Sequence, residues 1–388
     1  MKALERFETL RNWTADERFV IKQVAQLATE VFKPRAADYD ERKAFPWENI
    51  QSLKEIGLNR IFIPAAYGGA PLSYRCYLEV VRIISEACAS TGVIYSTNSA
   101  TSRSIFQFGT EEQSQRFLPR IAAGGLAALA ITEAHAGSAA GDMLTAFRPD
   151  GNDIVIDGEK IFITSGDVAD IVLLFGKWSE MEPSSKAISA LILERGTPGF
   201  DVMRLEKKMG MHASSTAALS FKDCRVSRYN LLGEPGDGMK ILLATLNKTR
   251  PSISAQALGI ATAAFNDMLA YTNERRQGGR RIVEYQANQF LMADHATNLL
   301  MARVFLDYVA SLFDDGIDDI GVEASMVKTM SSDLAMRLTT DAVQMHGGCG
   351  YTREYRVERL MREAKVTQIW EGTNEIQRQL IGRDLVVR

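Results

Sequence analysis

Apolar residues recur at helical spacing through the first third of the chain. Thr14 and Glu17 have the spacing of a capping box, in which the threonine hydroxyl accepts a backbone N–H and the glutamate reaches back to the cap. Apolar residues follow at helical intervals over residues 20–31, and Pro34 is predicted to stop this helix. Similar periodicity continues to about residue 123. The pattern therefore predicts a mainly helical N-terminal region.

The middle third has a shorter hydrophobic period. Apolar runs at 154–156, 161–164, 171–175 and 190–193 are separated by glycines and polar residues, which is typical of strands joined by turns. Asp157-Gly158 is a frequent hairpin dipeptide and is predicted to form a turn. Loops are predicted at Ser165-Gly166 and at residues 196–199. This region is therefore predicted to be an antiparallel β domain.

Helical periodicity returns after residue 236 and persists. Apolar stripes at 253–268 and 290–304 predict long helices that form a bundle, and Pro251 is predicted to kink or restart the first of them. The order α, β, α predicts an α+β multidomain fold. We expect an all-α domain at 1–125, a β domain at 126–236 and a helical bundle domain at 237–388.

Composition narrows the class of protein. Hydrophobic residues make up 46% and charged residues 24% of the 388 residues, as in a soluble globular protein, and the net charge of −3 provides no basic field for nucleic acid. The cysteines and histidines lack the paired spacing of a disulfide framework or a metal site. Neither a signal peptide nor a membrane span is expected, so we predict a cytoplasmic protein with no metal.

Familiar nucleotide and nucleophile motifs are missing from the sequence. There is no G-x-G-x-x-G and no P-loop, so any nucleotide cofactor is held in another way. Residues 137–141 read Gly-Ser-Ala-Ala-Gly, which places the serine one position too early for a nucleophile elbow.

Four other segments carry groups that could hold a flat polar ring or a phosphate. Residues 131–138 end an apolar run in small and hydroxyl residues, and residues 160–166 present Phe162 and Thr164 near a strand end. Residues 275–281 place four arginines beside two glycines, and residues 344–350 are glycine-rich. Each segment has a plain alternative: a strand-to-loop turn, a half-buried hairpin, a solvated helix end or a helix break.

Glu371 is the strongest candidate for acid–base chemistry. It follows Trp370 and precedes Gly372, so a cleft there would hold little water around the carboxylate and would raise its pKa. The alternative is an acidic residue that caps a helix before Thr373.

Six co-linear motifs together resemble the acyl-CoA dehydrogenases. They are Ile-Thr-Glu-x-x-Ala-Gly-Ser at 131–138, Gly-Glu-Lys-Ile-Phe-Ile-Thr-Ser-Gly at 158–166, Lys-Thr-Arg-Pro at 248–251, Glu-Arg-Arg-Gln-Gly-Gly-Arg at 274–280, Gln-Met-His-Gly-Gly-x-Gly-Tyr at 344–351 and Trp-Glu-Gly-Thr-Asn-Glu-Ile-Gln-Arg at 370–378. The resemblance covers nearly the whole chain. It implies a helical domain, a β domain and a C-terminal four-helix bundle.

The resemblance also implies FAD as cofactor and a homotetramer or homodimer. It implies that CoA thioester contacts come from Ser138, Asn247, Arg250, Trp370 and Gly372. The implied flavin contacts are Thr132, Gly137, Ser138, Phe162, Thr164, Arg275, Gln277, Gln286, Gln344, Gly347, Gly348, Thr373 and Glu375.

By the same resemblance, Glu371 is the catalytic base. Some relatives carry the base at the position of Thr249, which cannot serve as one. The implied reaction is removal of the α-proton by Glu371 and of the β-hydride to flavin N5, giving a trans-2-enoyl-CoA in fatty acid or amino acid catabolism. An electron-transferring flavoprotein is the implied acceptor. Same-fold alternatives are an oxidase, desulfinase-type chemistry or a non-catalytic flavoprotein scaffold.

The chain departs from the family pattern at several motif positions. Phe162 replaces a common tryptophan, Gly278 a common phenylalanine and Trp370 a common tyrosine. A larger indole beside the base is expected to shorten the acyl pocket. Arg103 is expected to meet either a polar or acidic acyl end or solvent.

Overall fold

The computed structural model describes residues 2–317 and 319–386 of the chain. The N-terminal region is helical, and its first long helix begins with the predicted capping box between Thr14 and Glu17. The helices are α1 (Lys2–Leu10), α2 (Ala15–Leu27), α3 (Lys33–Arg42), α4 (Trp47–Glu55), α5 (Tyr74–Ala87), α6 (Ala89–Phe108) and α7 (Glu111–Ala122).

The prediction that Pro34 stops the first helix is wrong. A π-helical turn over Ala28–Phe32 joins α2 to α3, and Pro34 lies in the first turn of α3. A proline ring clashes with the carbonyl four residues earlier in a regular helix. The wider π-turn changes the backbone at that point, so the chain continues as helix to Arg42.

The middle region forms an eight-stranded sheet in the order β6-β7-β3-β2-β4-β5-β8, with β1 paired to β4. Pairing is mainly antiparallel, but β4 pairs in parallel with β1 and with β2. The strands are β1 (Ala127–Ala130), β2 (Ala146–Asp150), β3 (Asp153–Thr164), β4 (Ile171–Trp178), β5 (Ile188–Glu194), β6 (Phe200–Leu205), β7 (Thr216–Ser227) and β8 (Leu231–Leu232).

Asp157-Gly158 is not a hairpin turn, contrary to the sequence prediction. The dipeptide lies inside β3, at an irregularity in its pairing with β7, and the chain turns at residues 151–152 instead. Gly158 has φ +152°, and a Cβ there would lie 2.7 Å from the Thr145 Cα. Position 158 thus requires a glycine because of the bulge and the close approach of Thr145. A bulge and a turn both need a backbone conformation that glycine adopts easily, so the dipeptide alone does not distinguish them.

The C-terminal region is a bundle of long helices. The first helix, α8, runs through Pro251 without restarting, and a short hairpin of β9 (Arg276–Gln277) and β10 (Arg280–Arg281) follows it. The helices are α8 (Gly238–Glu274), α9 (Gln286–Asp314), α10 (Gly321–His346), α11 (Val357–Thr367) and α12 (Asn374–Val386).

Within the described residues, α9 is the one helix whose length and apolar composition would suffice to cross a membrane. It carries the buried His295 and Arg303 and packs beside α8 and α10. The mixed burial along α9 is that of a bundle helix with one outward face.

The helices at both ends of the chain share one hydrophobic core. One face of the sheet joins this core through Ile171, Leu173 and Phe175, while Val172 and Leu174, on the opposite face, belong to a second core within the β domain. This alternation along β4 is the two-residue period of a strand that is buried on both faces. The β domain is thereby fixed against the helical part of the chain.

Candidate active site

A tight turn between α11 and α12 presents Glu371. Glu371 adopts φ +55° and Gly372 φ +89°, both in the left-handed region. The Gln377 side-chain amide donates to the carbonyl oxygens of Glu371 and Gly372, at 3.1 and 2.9 Å. The Lys328 Nζ also donates to the Gly372 carbonyl at 2.9 Å. These three bonds from α10 and α12 stabilise a backbone conformation that a glutamate rarely adopts.

Lys328 is itself a buried cation with two hydrogen-bond acceptors in this turn. Its Nζ donates to the Asn374 Oδ1 at 2.7 Å as well as to the Gly372 carbonyl. Burial lowers the pKa of Lys328 to about 8, and the nearby Glu371 carboxylate opposes that shift. Lys328 therefore positions the turn and adds positive charge beside the carboxylate.

The Glu371 carboxylate is held by the hydroxyl of Thr249 on α8. The Thr249 Oγ1 donates to Glu371 Oε2 at 2.6 Å. Burial raises the pKa of Glu371, and the Thr249 hydrogen bond and the charges of Arg250 and Lys328 only partly oppose it. Among the described residues, the Glu371 backbone N–H has no hydrogen-bond partner. The turn thus offers a carboxylate of raised basicity and a free amide donor side by side.

The predicted CoA contacts on α8 lie behind this carboxylate. Arg250 is only 3% exposed, and its Nη1 donates to the Asn247 Oδ1 at 3.0 Å. The Trp370 Nε1 and the Arg250 Nε are buried without partners among the described residues. Buried donors of this kind indicate unfilled binding capacity.

A small cavity, partly open to solvent, lies between α5, α6 and α8. Thr249 forms part of its wall, so the cavity begins at the residue that holds the Glu371 carboxylate. Arg103 also lines it and does not simply face solvent: its guanidinium lies 5.1 and 5.3 Å from the ring centres of Tyr74 and Tyr77.

A second charged cluster joins two predicted site segments in the β domain. Lys160, fully buried, donates to Glu133 Oε1 at 2.7 Å and to the Ile131 carbonyl at 2.8 Å. The Glu133 carboxylate also accepts the N–H groups of Leu144 and Thr145. Burial opposes ionisation of Glu133, but these hydrogen bonds outweigh it and its pKa lies below the ordinary value. Burial lowers the pKa of Lys160 to about 8.

This cluster places the turn at 131–138 beside the end of β3. The Ile161 N–H donates to the Thr132 carbonyl at 2.9 Å. Phe162 adopts φ +61° and is 61% exposed, while Thr164 is half-buried. Gly137 and Ser138 are exposed, and a Cβ at Gly137 would meet no atom within 4 Å. An apolar ring, a hydroxyl and open backbone therefore lie at one edge of the sheet.

The remaining predicted flavin residues lie elsewhere on the bundle. Stacking of Tyr271 on His346, with ring centres 4.2 Å apart, brings the end of α8 to the end of α10. Thr373 and Glu375 belong to the Glu371 turn, where the Thr373 hydroxyl accepts the Ile376 N–H. The other predicted flavin residues are exposed: Arg275, Gln277, Gln286, Gln344, Gly347 and Gly348. Among the described residues, no hydrogen bond or ion pair joins them to the Glu371 turn.

These surfaces suit the parts of an FAD molecule. The exposed Phe162 ring beside Thr164 matches a flat ring system with hydrogen-bonding edges, and exposed guanidinium groups suit a diphosphate. A Cβ at Gly347 or Gly348 would meet no atom within 4 Å, so the backbone there is accessible to a ligand.

Comparison with known proteins assigns the family. Profiles of the acyl-CoA dehydrogenase N-terminal, middle and C-terminal domains match residues 14–125, 128–224 and 236–386. The chain belongs to the acyl-CoA dehydrogenase family. It is 40% identical to an acyl-CoA dehydrogenase of Bacillus subtilis over 96% of this chain and 98% of that protein. It is also 40% identical to a short-chain specific acyl-CoA dehydrogenase of Clostridium acetobutylicum, over 95% and 98%.

Solved structures agree with this assignment. Butyryl-CoA dehydrogenase from Megasphaera elsdenii is 35% identical, with a TM-score of 0.93 over 97% of this chain and 99% of that one. A chain in a structure of the electron transferring flavoprotein of Acidaminococcus fermentans is 40% identical, with a TM-score of 0.94 over 97% and 100%. A glutaryl-CoA dehydrogenase from Mycobacterium smegmatis in complex with FADH2 is 26% identical, with a TM-score of 0.92 over 100% and 98%.

The predicted family, fold and enzyme class are thereby confirmed. The chain is an FAD-dependent acyl-CoA dehydrogenase, an oxidoreductase that acts on CH–CH bonds of CoA thioesters. The assignment of roles to individual residues stays a prediction.

Sequence reasoning missed three residues that position the candidate site. Lys160, Lys328 and the Thr249 hydroxyl fix the two segments that carry Glu133 and Glu371. A lysine inside an apolar run, as in Lys160-Ile161-Phe162-Ile163, is an available signal, because a buried lysine needs an acidic partner. Lys328 and Thr249 lie in ordinary helical patterns, and only the packing of α8 and α10 brings them to the turn.

Proposed function

We propose that Glu371 is the catalytic base, which removes the α-proton of a bound acyl-CoA so that a trans-2-enoyl-CoA forms. One observation carries this proposal: its carboxylate has a raised pKa and is held by a residue that lines the cavity between α5, α6 and α8. A desolvated carboxylate of this kind is a stronger base than one in water.

The other groups at the turn assist the same step. The free Glu371 N–H can donate to the thioester carbonyl oxygen, which stabilises the negative charge that develops as the proton leaves. The Thr249 hydroxyl fixes the orientation of the carboxylate, and Lys328 and Gln377 fix the backbone. Bound FAD would supply the acceptor for the β-hydride.

We infer the flavin site from the surfaces described above. Thr132, Gly137, Ser138, Phe162 and Thr164 would face the flavin ring, and the exposed groups at the ends of α8 and α10 would face its diphosphate and adenosine. These latter groups lie apart from the Glu371 turn, as expected if they serve the flavin of a neighbouring subunit in a homotetramer.

We further propose an electron-transferring flavoprotein as the acceptor and a cytoplasmic location. A similar chain occurs in a structure of such a flavoprotein from Acidaminococcus fermentans, which supports the first point. The close relatives include a short-chain specific enzyme and a butyryl-CoA dehydrogenase, so we infer a short acyl chain as substrate.

Anaerobic reduction of bound FAD by acyl-CoA thioesters tests the proposal. We expect E371Q to keep its FAD but to lose flavin reduction by roughly 10²–10⁴-fold, because glutamine cannot accept the proton. E354Q makes the same change at an exposed position and should reduce its flavin at the wild-type rate.

Two results would contradict the proposal. Normal flavin reduction in E371Q would move the base to another residue. Loss of FAD from E371Q but not from E354Q would show a structural role for the carboxylate in place of a catalytic one.

A further inference from the structure

Arg103 places a guanidinium in the wall of the acyl cavity, and none of the described residues that line the cavity is an acid. The Thr249 hydroxyl in the wall of the cavity contacts the Glu371 carboxylate. A guanidinium in a cavity wall attracts an anionic group.

Arg103 is oriented by its neighbours, but its two Nη atoms have unused hydrogen-bonding capacity. Its Nε donates to the Ser99 hydroxyl at 3.2 Å, and its guanidinium lies over the buried rings of Tyr74 and Tyr77. Within the described residues it forms no ion pair, and its hydrogen bond to Ser99 uses Nε and leaves both Nη atoms without an acceptor. A guanidinium fixed in this way presents two parallel donors, which match the two oxygens of a carboxylate.

The other polar groups of the cavity wall do not compete for a ligand. The Ser104 hydroxyl lies 2.7 Å from the Thr245 hydroxyl, and that of Thr245 also donates to the Ile241 carbonyl. The Ser252 hydroxyl donates to the Tyr77 hydroxyl, and Lys248 donates to the Gln107 side chain at 2.8 Å. The unfilled capacity of the cavity is therefore concentrated on the Nη atoms of Arg103.

A plain alkyl chain fits this cavity poorly. Its end would cover the guanidinium and remove water from the Nη donors without replacing the lost hydrogen bonds, which is costly. A terminal carboxylate would replace them with charge-assisted hydrogen bonds.

We propose that the preferred substrate is a short acyl-CoA whose acyl chain ends in a carboxylate, and that Arg103 binds this carboxylate and determines specificity. The inference rests on the proposed function, because it assumes that Glu371 and this cavity receive the thioester. It adds the chemical class of the acyl group.

The test uses matched pairs of thioesters and the FAD-loaded enzyme. Butanoyl-, pentanoyl- and hexanoyl-CoA are compared with the CoA monothioesters of the dicarboxylic acids of equal length, and kcat and KM are measured for each. We expect at least a tenfold preference in kcat/KM for the carboxylated member of one or more pairs, as charge-assisted hydrogen bonds would give.

Three variants assign the preference to the guanidinium. R103M should lose it and should still oxidise the alkyl thioesters, which shows that the variant is folded. R103K keeps the charge without the paired donors and should restore part of the preference. R148M removes a surface arginine that pairs with Asp157 on the β domain and should keep the full preference.

A binding readout separates recognition from chemistry. In E371Q, dissociation constants can be measured from the flavin absorbance without turnover, and R103M in that background should weaken binding of the carboxylated thioester at least tenfold. The alkyl thioester should bind within about twofold of its affinity for E371Q alone.

The outcomes distinguish the inference from the proposed function. If the wild type oxidises alkyl thioesters equally well or better, or if R103M keeps the preference for carboxylates, the inference is wrong and the proposed function stands. If no thioester reduces the flavin, the proposed function fails and the inference fails with it.

Discussion

Glu133 is buried and Glu371 is half-buried, and the pKa values of the two carboxylates shift in opposite directions. Glu133 accepts bonds from the ammonium of Lys160, the Thr145 hydroxyl and two backbone N–H groups. Glu371 has one hydroxyl donor, and its cations are not in contact with it. Burial favours the protonated form of both, so the number of direct donors decides the direction.

The opposite pKa shifts match a structural role for Glu133 and, as we propose, a catalytic role for Glu371. A carboxylate with a complete set of donors stays charged and fixes the backbone around it, as Glu133 does for residues 131–145. A carboxylate with few donors keeps an affinity for protons that a base requires. One residue type therefore serves structure in the β domain and, as we propose, chemistry in the bundle.

Removing the cation from the structural pair should produce the largest effect on stability. K160M leaves the Glu133 charge buried without its main partner, and we expect the free energy of unfolding to fall by about 3–5 kcal/mol. Because Lys160 also bonds the Ile131 carbonyl, FAD retention should fall as well. Thermal unfolding and FAD content after gel filtration measure both effects.

Two further variants control this experiment. K222M makes the same change at an exposed position on β7 and should unfold like the wild type. The double variant K160M/E133Q removes both charges and should recover part of the lost stability. A K160M protein as stable as the wild type would mean that Glu133 does not need its cation.

Glu363 on α11 is a third buried carboxylate, and it lies near arginines without a short ion pair to any of them among the described residues. Its ion pair with Arg359 is long, at 3.9 Å, and burial raises the pKa of Glu363 to about 7. The folded state then binds this proton more tightly than the unfolded chain, where the pKa is 4.5. The stabilisation is fully present below pH 4.5 and is lost as the pH rises to about 7.

E363Q should therefore gain stability relative to the wild type as the pH rises. The relative gain between pH 4.5 and 8 is at most about 3 kcal/mol, since each pKa unit corresponds to about 1.4 kcal/mol. Denaturant unfolding at both values measures it. An equal difference between the two proteins at both values would show that Glu363 does not titrate in this range.

Removing the donor to Glu371 should produce the smallest effect, and one confined to acid pH. T249V deletes a bond that lowers the pKa of Glu371, so that pKa should rise and the acid limb of the kcat/KM profile should move to higher pH. We expect kcat/KM at pH 6 to fall roughly tenfold, with recovery above pH 8.

T262V is the matched control for this profile. It removes a hydroxyl from the same helix that bonds only the Leu258 carbonyl, so its profile should match that of the wild type. A uniform loss in T249V at every pH would indicate misplacement of the base in place of a change in its pKa.

Two predictions from the sequence failed because a proline or a glycine was assigned to the wrong structural element. Pro34 continues a helix because a π-turn precedes it, and Gly158 serves a bulge because Thr145 lies against it. In both cases the local signal for an unusual backbone was correct, and the predicted element was wrong. Proline and glycine mark conformations that many structures can use.

The sequence by itself determined the order of helical and β regions, the capping box at Thr14 and the segments that carry the candidate site, because these depend on periodicity and on motifs within a few residues. Only the tertiary structure decided which groups meet: Thr249 with Glu371, Lys160 with Glu133, and Arg103 with the cavity between α5, α6 and α8. The Thr249 pair is separated by 122 residues. The physical reason is that burial and hydrogen bonding, which set the pKa of each carboxylate and the charge of the cavity, arise from packing between distant elements.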